Sequence, residues 1–151
     1  MRVGMKLKES IKDYVNDLDL TNCFAVTLTM KQRVNNKSLD NITSSQNLRH
    51  FLSVLNKKCF GNAYKRFNKR LRVLPSLERS SDGRYHYHLT LENPYPDNPM
   101  KFAQMIEFTW FKTNYGYRKI DIQHKVDKGW GSYITKFDHR DNEIDWGNVS
   151  S

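Results

Sequence analysis

Hydrophobic residues recur at helical spacing in four parts of the chain. The i, i+3, i+4, i+7 pattern of apolar positions, which Leu48, Phe51, Leu52 and Leu55 follow, predicts an amphipathic helix in each part. A proline near the first turn supports the third of them. The predicted helices are residues 6–19, a long helix from about Ser45 that Gly61 interrupts before it continues over 64–70, residues 99–111 and residues 127–137.

Between these helices, four segments are rich in β-branched and aromatic residues, which is typical of strands. They are residues 23–30, 71–79, 84–92 and 117–126. The second and third flank Ser81-Asp82-Gly83, and a three-residue loop there would place Gly83 in the left-handed position of a bulged hairpin.

The predicted element order is α-β-α-β-β-α-β-α. This order predicts an α+β fold with an antiparallel sheet of about five strands, helices packed mainly on one face, and the other face free for a ligand. Ferredoxin-like topologies fit this order. At 151 residues the chain fits one domain, and we expect it to comprise residues 1–137. Residues 138–151 are mostly polar, which indicates a tail or the start of a linker.

The distribution of charge indicates what kind of partner the protein binds. The formal net charge is +9, and residues 49–79 hold nine Lys or Arg against one acid, Glu78. Such a concentration of positive charge favours a polyanionic partner, with nucleic acid the leading candidate. The basic side chains interleave with aromatics, which suits a DNA backbone or the duplex stem of a hairpin. The predicted DNA-binding residues are Lys65, Arg66, Lys69, Arg70 and Arg72.

Other compositional features exclude several classes of protein. No stretch approaches the roughly 20 apolar residues of a membrane span, and the first ten residues lack the apolar core of a signal peptide. Cys23 and Cys59 lack metal-type spacing and predict buried thiols. We therefore expect a protein without a membrane partner, located in the cytoplasm, or in the nucleus if the host is eukaryotic.

His86-Tyr87-His88 is a candidate metal site. Side chains alternate along a strand, so both imidazoles project from one face. With the three-residue loop, Glu78 stands across from His86 and Ser76 across from His88. Two imidazoles and a carboxylate suit Mn²⁺, Mg²⁺ or another divalent first-row ion. The alternative without a metal is a pair of ordinary, half-exposed histidines. A loop of two or four residues would turn the Glu78 side chain away from both of them.

The last predicted helix carries a candidate nucleophile. Tyr133 and Lys136 share a flank beside the apolar stripe of that helix. A phenol with an ammonium one turn away can form a phosphotyrosine, because the lysine lowers the cost of the phenolate. Taken alone, this pair is more typical of a tyrosine at the edge of a core and a solvated lysine.

The order of these features resembles a known family. Residues 24–29 (Phe-Ala-Val-Thr-Leu-Thr), His86-Tyr87-His88 and Tyr133-Ile-Thr-Lys136 are similar to motifs I, II and III of HUH endonucleases, specifically the single-tyrosine rolling-circle replication initiators of plasmids and viruses. The similarity spans about residues 22–137. It implies an antiparallel sheet with flanking helices that presents both histidines on a central strand.

The resemblance also implies an activity. His86 and His88 would be ligands of Mg²⁺ or Mn²⁺, Tyr133 the nucleophile that attacks single-stranded origin DNA, and Lys136 its assistant. Glu78 is the expected third ligand, with Gln123 and His124 as competing candidates. The products would be a 5′-phosphotyrosine and a free 3′-OH. No GxxxxGK[ST] motif occurs in these residues, so we expect reliance on a host helicase and polymerase.

Three alternatives remain open. A single-tyrosine transposase shares the chemistry but usually carries Gln at the position of Lys136. Relaxases and two-tyrosine initiators need a second tyrosine four or five residues on, where Phe137 and Asp138 stand. The non-enzymatic alternative is an RRM-like module that binds single strands, with both histidines as ordinary face residues.

Overall fold

The structure is a computed structural model, and it describes Asp13, residues 20–124 and residues 142–149. The predicted helix over 127–137 lies outside the described residues, as does the one over 6–19 apart from Asp13. Within the described residues the protein has an α+β fold, which confirms the predicted class.

The sheet is antiparallel, with four long strands and one short edge strand. Its strands are β1 (Cys23–Met30), β4 (Val73–Arg79), β5 (Tyr85–Glu92), β6 (Gly116–Gln123) and β7 (Asn142–Ile144). Across the sheet they stand in the order β6-β1-β5-β4-β7. A separate small hairpin joins β2 (Arg33–Val34) to β3 (Lys37–Ser38). The predicted strand over 23–30 is found with those bounds, and the other three differ by three residues or fewer at each end.

Three helices are described: α1 (Asn41–Phe60), α2 (Asn62–Arg66) and α3 (Pro99–Phe111). Helix α1 begins four residues earlier than predicted, because the Asp40 carboxylate caps it by accepting a 2.7 Å hydrogen bond from the Thr43 amide. That bond holds the pKa of Asp40 below its usual value. Gly61 has a φ of 55° and separates α1 from α2, as predicted. The predicted continuation over 64–70 is wrong in its bounds, since α2 ends at Arg66 and Asn68 adopts a left-handed φ of 53°.

The core lies between one face of the sheet and the helices. Alternate residues of β5, Tyr87, Leu89 and Leu91, point into it and are fully buried. On the helical side, the rings of Phe51 and Trp110 meet edge to face at 5.3 Å between centroids. The Trp110 indole also donates a 2.8 Å hydrogen bond to the Thr29 carbonyl, so α3 is tied to β1.

Residues 142–149 differ from the expected polar tail. Strand β7 pairs with β4, and Ile144 is buried. Asp145 accepts a 2.8 Å hydrogen bond from the Tyr87 hydroxyl and a 3.2 Å one from Ser45. The buried Asn148 side chain also donates a 3.0 Å hydrogen bond to the Ser45 carbonyl. Strand pairing and these side chains therefore attach the segment to the rest of the fold, although its composition is mostly polar, and the expected end of the folded part near Phe137 is corrected for these residues.

In the parts of the chain that the structure describes, no helix combines the length and hydropathy needed to cross a membrane.

The hydrogen bond between Tyr87 and Asp145 generates a stability prediction. Tyr87→Phe should lower the free energy of unfolding by about 1.5–3 kcal/mol, because a buried bond to a carboxylate is lost. Urea denaturation measures the change. Tyr117→Phe is the matched control, since Tyr117 is about half exposed. Equal denaturation midpoints for the two variants would contradict the role assigned to Asp145.

Candidate metal centre and basic surface

The hairpin between β4 and β5 positions the candidate site. Its loop closes with hydrogen bonds from the Ser80 amide to the Arg84 carbonyl (2.9 Å) and from the Gly83 amide to the Ser80 carbonyl (2.8 Å). Gly83 has a φ of 85°, the left-handed conformation expected of it. The register places Glu78 opposite His86 and Ser76 opposite His88, which confirms the predicted pairing.

Glu78, His86 and His88 meet on the face of the sheet opposite the core. One carboxylate oxygen of Glu78 lies 3.0 Å from Nε2 of His86, and the other lies 3.0 Å from Nε2 of His88. The side chains of all three are partly exposed, at 25%, 20% and 17%. Within the described residues they form a group that could hold a metal ion, with ligand atoms within 4.8 Å of one another.

The donor set fits a divalent cation. Neighbouring ligands of an octahedral ion at about 2.1 Å stand about 3 Å apart, which is the separation of the carboxylate from each imidazole nitrogen. Ser76 adds a second observation. Its buried hydroxyl makes no hydrogen bond within the described residues and stands across from His88. A polar group held near the triad would provide the partner that this hydroxyl lacks.

Thr27 is a functional candidate that the sequence did not single out. It stands opposite His88 on β1, and its hydroxyl lies 3.2 Å from Nδ1 of His88. When Nε2 faces an ion, Nδ1 carries the proton and donates a hydrogen bond to the Thr27 oxygen. That bond fixes the tautomer and the orientation of the imidazole ring. The pattern Thr27-Leu28-Thr29 was visible in the sequence, but its pairing with β5 was not.

The charge state of His88 suits a ligand. Burial lowers the pKa of His88, and the positive charge of a protonated His86 would lower it further, while the Glu78 carboxylate acts in the opposite direction. The net effect is a lowered pKa, so the neutral form of His88 is favoured. A metal ion binds the neutral imidazole, whose nitrogen lone pair is free.

The two competing ligand candidates lie elsewhere. Gln123, on β6, stands opposite Ala25 of β1. Strand β1 lies between β6 and β5, so the backbone of Gln123 is about 10 Å from that of β5. The ring of His124 packs at 4.9 Å on Phe24, a residue of the core. Neither is near the triad, and Glu78 is the residue that joins the two histidines.

The face that carries the triad is open at one end only. Away from the hairpin loop, Ala25, Ser76 and Thr90 are buried although they share this face. Thr27, Thr29 and the triad are partly exposed. The expected free face is therefore narrower than the sequence suggested, and the triad occupies its accessible end.

The predicted DNA-binding residues lie at the other end of β4. Lys65, Arg66, Lys69 and Arg70 are exposed around the end of α2, and Arg72 is half-buried just before β4. Arg72 and Glu78 are six positions apart along extended chain, which corresponds to a distance of about 20 Å. We name Lys65–Arg72 the basic loop. It is a surface separate from the triad.

Tyr133 and Lys136 lie outside the described residues, so their place relative to the triad stays a prediction. No family model, curated protein or solved structure matches this chain.

The triad predicts specific binding of Mn²⁺. The wild-type protein should bind one Mn²⁺, and His86→Ala, His88→Ala and Glu78→Gln should each lose at least tenfold in affinity, because each removes one of three ligands. Titration calorimetry or the loss of the free Mn²⁺ paramagnetic resonance signal measures this. Glu107→Gln removes an exposed carboxylate on α3 and should change nothing. Unchanged affinity in all three triad variants would contradict the site.

Thr27 generates a second prediction. Thr27→Val keeps the shape of the side chain but removes the hydroxyl, so Mn²⁺ affinity should fall about 10- to 100-fold. Thr29→Val is the matched control: it stands on the same face, opposite His86, and its hydroxyl donates to the Lys119 carbonyl instead. Equal effects of the two substitutions would show that the hydroxyl of Thr27 has no special role.

Proposed function

We propose that this chain is an HUH endonuclease of the single-tyrosine replication-initiator type, which nicks and rejoins single-stranded DNA at an origin. The observation that carries the proposal is the triad of Glu78, His86 and His88 on the central hairpin, with one carboxylate oxygen at 3.0 Å from each imidazole. Two imidazoles and a carboxylate are a donor set for Mg²⁺ or Mn²⁺ at a phosphate.

The arrangement of elements supports the same proposal. The long strands and helices run β1-α1-β4-β5-α3-β6, and in space the strands stand in the order β6-β1-β5-β4. This is the connectivity of a ferredoxin-like fold, and we propose that fold for the domain. Strand β5, which carries both histidines, is central in the sheet, as the HUH resemblance implies.

The proposed reaction is a transesterification. The Tyr133 oxygen loses its proton and attacks the scissile phosphorus, and the bond from phosphorus to the 3′ oxygen breaks. The leaving 3′ oxygen takes up one proton and becomes a 3′-OH, so the protons balance. The 5′ end stays on Tyr133 as a phosphotyrosine, so a later 3′-OH can reverse the step and rejoin a strand. Lys136 favours the phenolate and offsets charge on the phosphate. A divalent cation held by Glu78, His86 and His88 would supply Lewis acidity and offset charge on the non-bridging oxygens.

The RRM-like alternative fits the sheet less well. Such modules place stacking aromatics on the open face of adjacent central strands. On β1 and β5, which the structure describes in full, that face presents no aromatic side chain other than the two imidazoles. Its residues are Cys23, Ala25, Thr27, Thr29, His86, His88, Thr90 and Glu92. The basic loop supplies the DNA contact in our proposal, and helicase and polymerase come from the host.

The proposed nucleophile predicts a covalent product. Incubated with Mn²⁺ and a library of single-stranded oligonucleotides, the protein should form an adduct that survives denaturing electrophoresis. Tyr133→Phe should abolish the adduct while DNA binding persists, because only the attacking oxygen is lost. His86→Ala should also abolish it, since metal-dependent cleavage requires the triad.

Tyr117→Phe removes a hydroxyl from an exposed tyrosine and should react normally. An adduct of undiminished yield with Tyr133→Phe would refute the assigned nucleophile. Nicking that proceeds equally well in excess chelator would refute the metal-dependent mechanism.

A further inference from the structure

Phe67 is the most exposed large hydrophobic residue that the structure describes, with 78% of its surface accessible. It stands immediately after α2, between Arg66 and Asn68, in the basic loop. Exposing a phenylalanine to this extent forgoes the free energy of burying its ring. The residues around it include the cations Lys65, Arg66, Lys69 and Arg70.

The loop around Phe67 has a defined backbone. The amides of Phe67 and Lys69 both donate to the Ala63 carbonyl, at 3.0 and 3.2 Å. Asn68 adopts a left-handed φ of 53°, and its side-chain oxygen accepts a 2.7 Å hydrogen bond from the Arg70 guanidinium. These contacts hold Phe67 at the tip of the turn, so the ring is presented outward by local structure.

Neighbouring aromatic rings already have partners. Lys69 lies over the ring of Phe60 at 5.3 Å, and Arg70 lies over that of Tyr64 at 5.4 Å. Phe67 has no ring or cation contact within the described part of the chain. Most of the Phe67 ring is therefore open to a ligand, while Lys69 and Arg70 beside it are held close to the turn.

We propose that Phe67 is a stacking platform for an unpaired base of single-stranded nucleic acid, with Lys65, Arg66 and Lys69 contacting the flanking phosphates. A flat, accessible ring beside several cations is the combination by which proteins bind single strands without reading their sequence. In a duplex the base faces are covered by their neighbours, so an unpaired base is the partner that this ring fits. The inference rests on the proposed function only in taking nucleic acid as the ligand.

Binding to this loop can be measured apart from cleavage. The basic loop begins about 20 Å from Glu78, so its variants should leave Mn²⁺ affinity unchanged. The probe is a fluorescein-labelled 12-nucleotide oligo-dT, titrated with the full chain in EDTA and followed by fluorescence anisotropy at several salt concentrations. A blunt duplex of equal length is titrated in parallel.

Phe67→Ala should weaken oligo-dT binding by about 5- to 100-fold without changing its salt dependence, because stacking rather than charge is lost. Phe67→Leu should weaken it similarly, and Phe67→Trp should preserve it. Lys65→Ala should instead lower the slope of log affinity against log salt by about 0.7. Phe111→Ala is the control, since Phe111 is 50% exposed on another surface and should be silent.

Five results would overturn the proposal. Phe67→Ala or Phe67→Leu could bind oligo-dT like the wild-type protein, Phe111→Ala could lose as much affinity, or the wild-type protein could have no measurable affinity for oligo-dT. The fifth is an equal loss on the duplex, which would assign the ring to duplex binding instead. Failure of the covalent adduct assay alone would refute the nicking activity and leave this inference intact.

Discussion

The register of the hairpin between β4 and β5 is the constraint on which the candidate site depends. Side chains alternate between the faces of a sheet, so a shift of one residue would turn Glu78 away from both histidines. The loop sets the register, and Gly83 permits the left-handed conformation that a three-residue loop requires. A local conformational preference at one residue thus decides whether a carboxylate and two imidazoles can share an ion.

The same strand serves the core and the site. Tyr87 lies between the two histidines in sequence and points to the opposite face, where it is fully buried and bonded to Asp145. Packing on one face therefore fixes the backbone from which His86 and His88 project. On the open face, Thr27 of β1 holds the ring of His88 by its other nitrogen. Both neighbours of β5 thus contribute a side chain to the site, Thr27 from β1 and Glu78 from β4.

The sequence patterns predicted the features that depend on residues close together in the chain. The strand over 23–30, the hairpin register and the helix over 99–111 follow from periodicity, turn chemistry and a proline, all encoded within short windows. Thr27 and the docking of 142–149 depend on which distant segments become neighbours in the sheet, and no short window encodes that. Composition was misleading for 142–149, since a mostly polar segment is attached by strand pairing with β4, by the buried side chains of Ile144 and Asn148, and by the Asp145 carboxylate.

Electrostatics explain why a cation belongs in the proposed mechanism. With neutral imidazoles, the triad carries the single negative charge of Glu78, which repels a phosphodiester. A divalent ion reverses the sign of that charge to +1 and makes the same place attractive to phosphate. The basic loop about 20 Å away is positive without any ion, so it can hold a strand before the triad is loaded. In the proposed mechanism, DNA binding and DNA cleavage would therefore take place at separate surfaces, and only cleavage would depend on the metal.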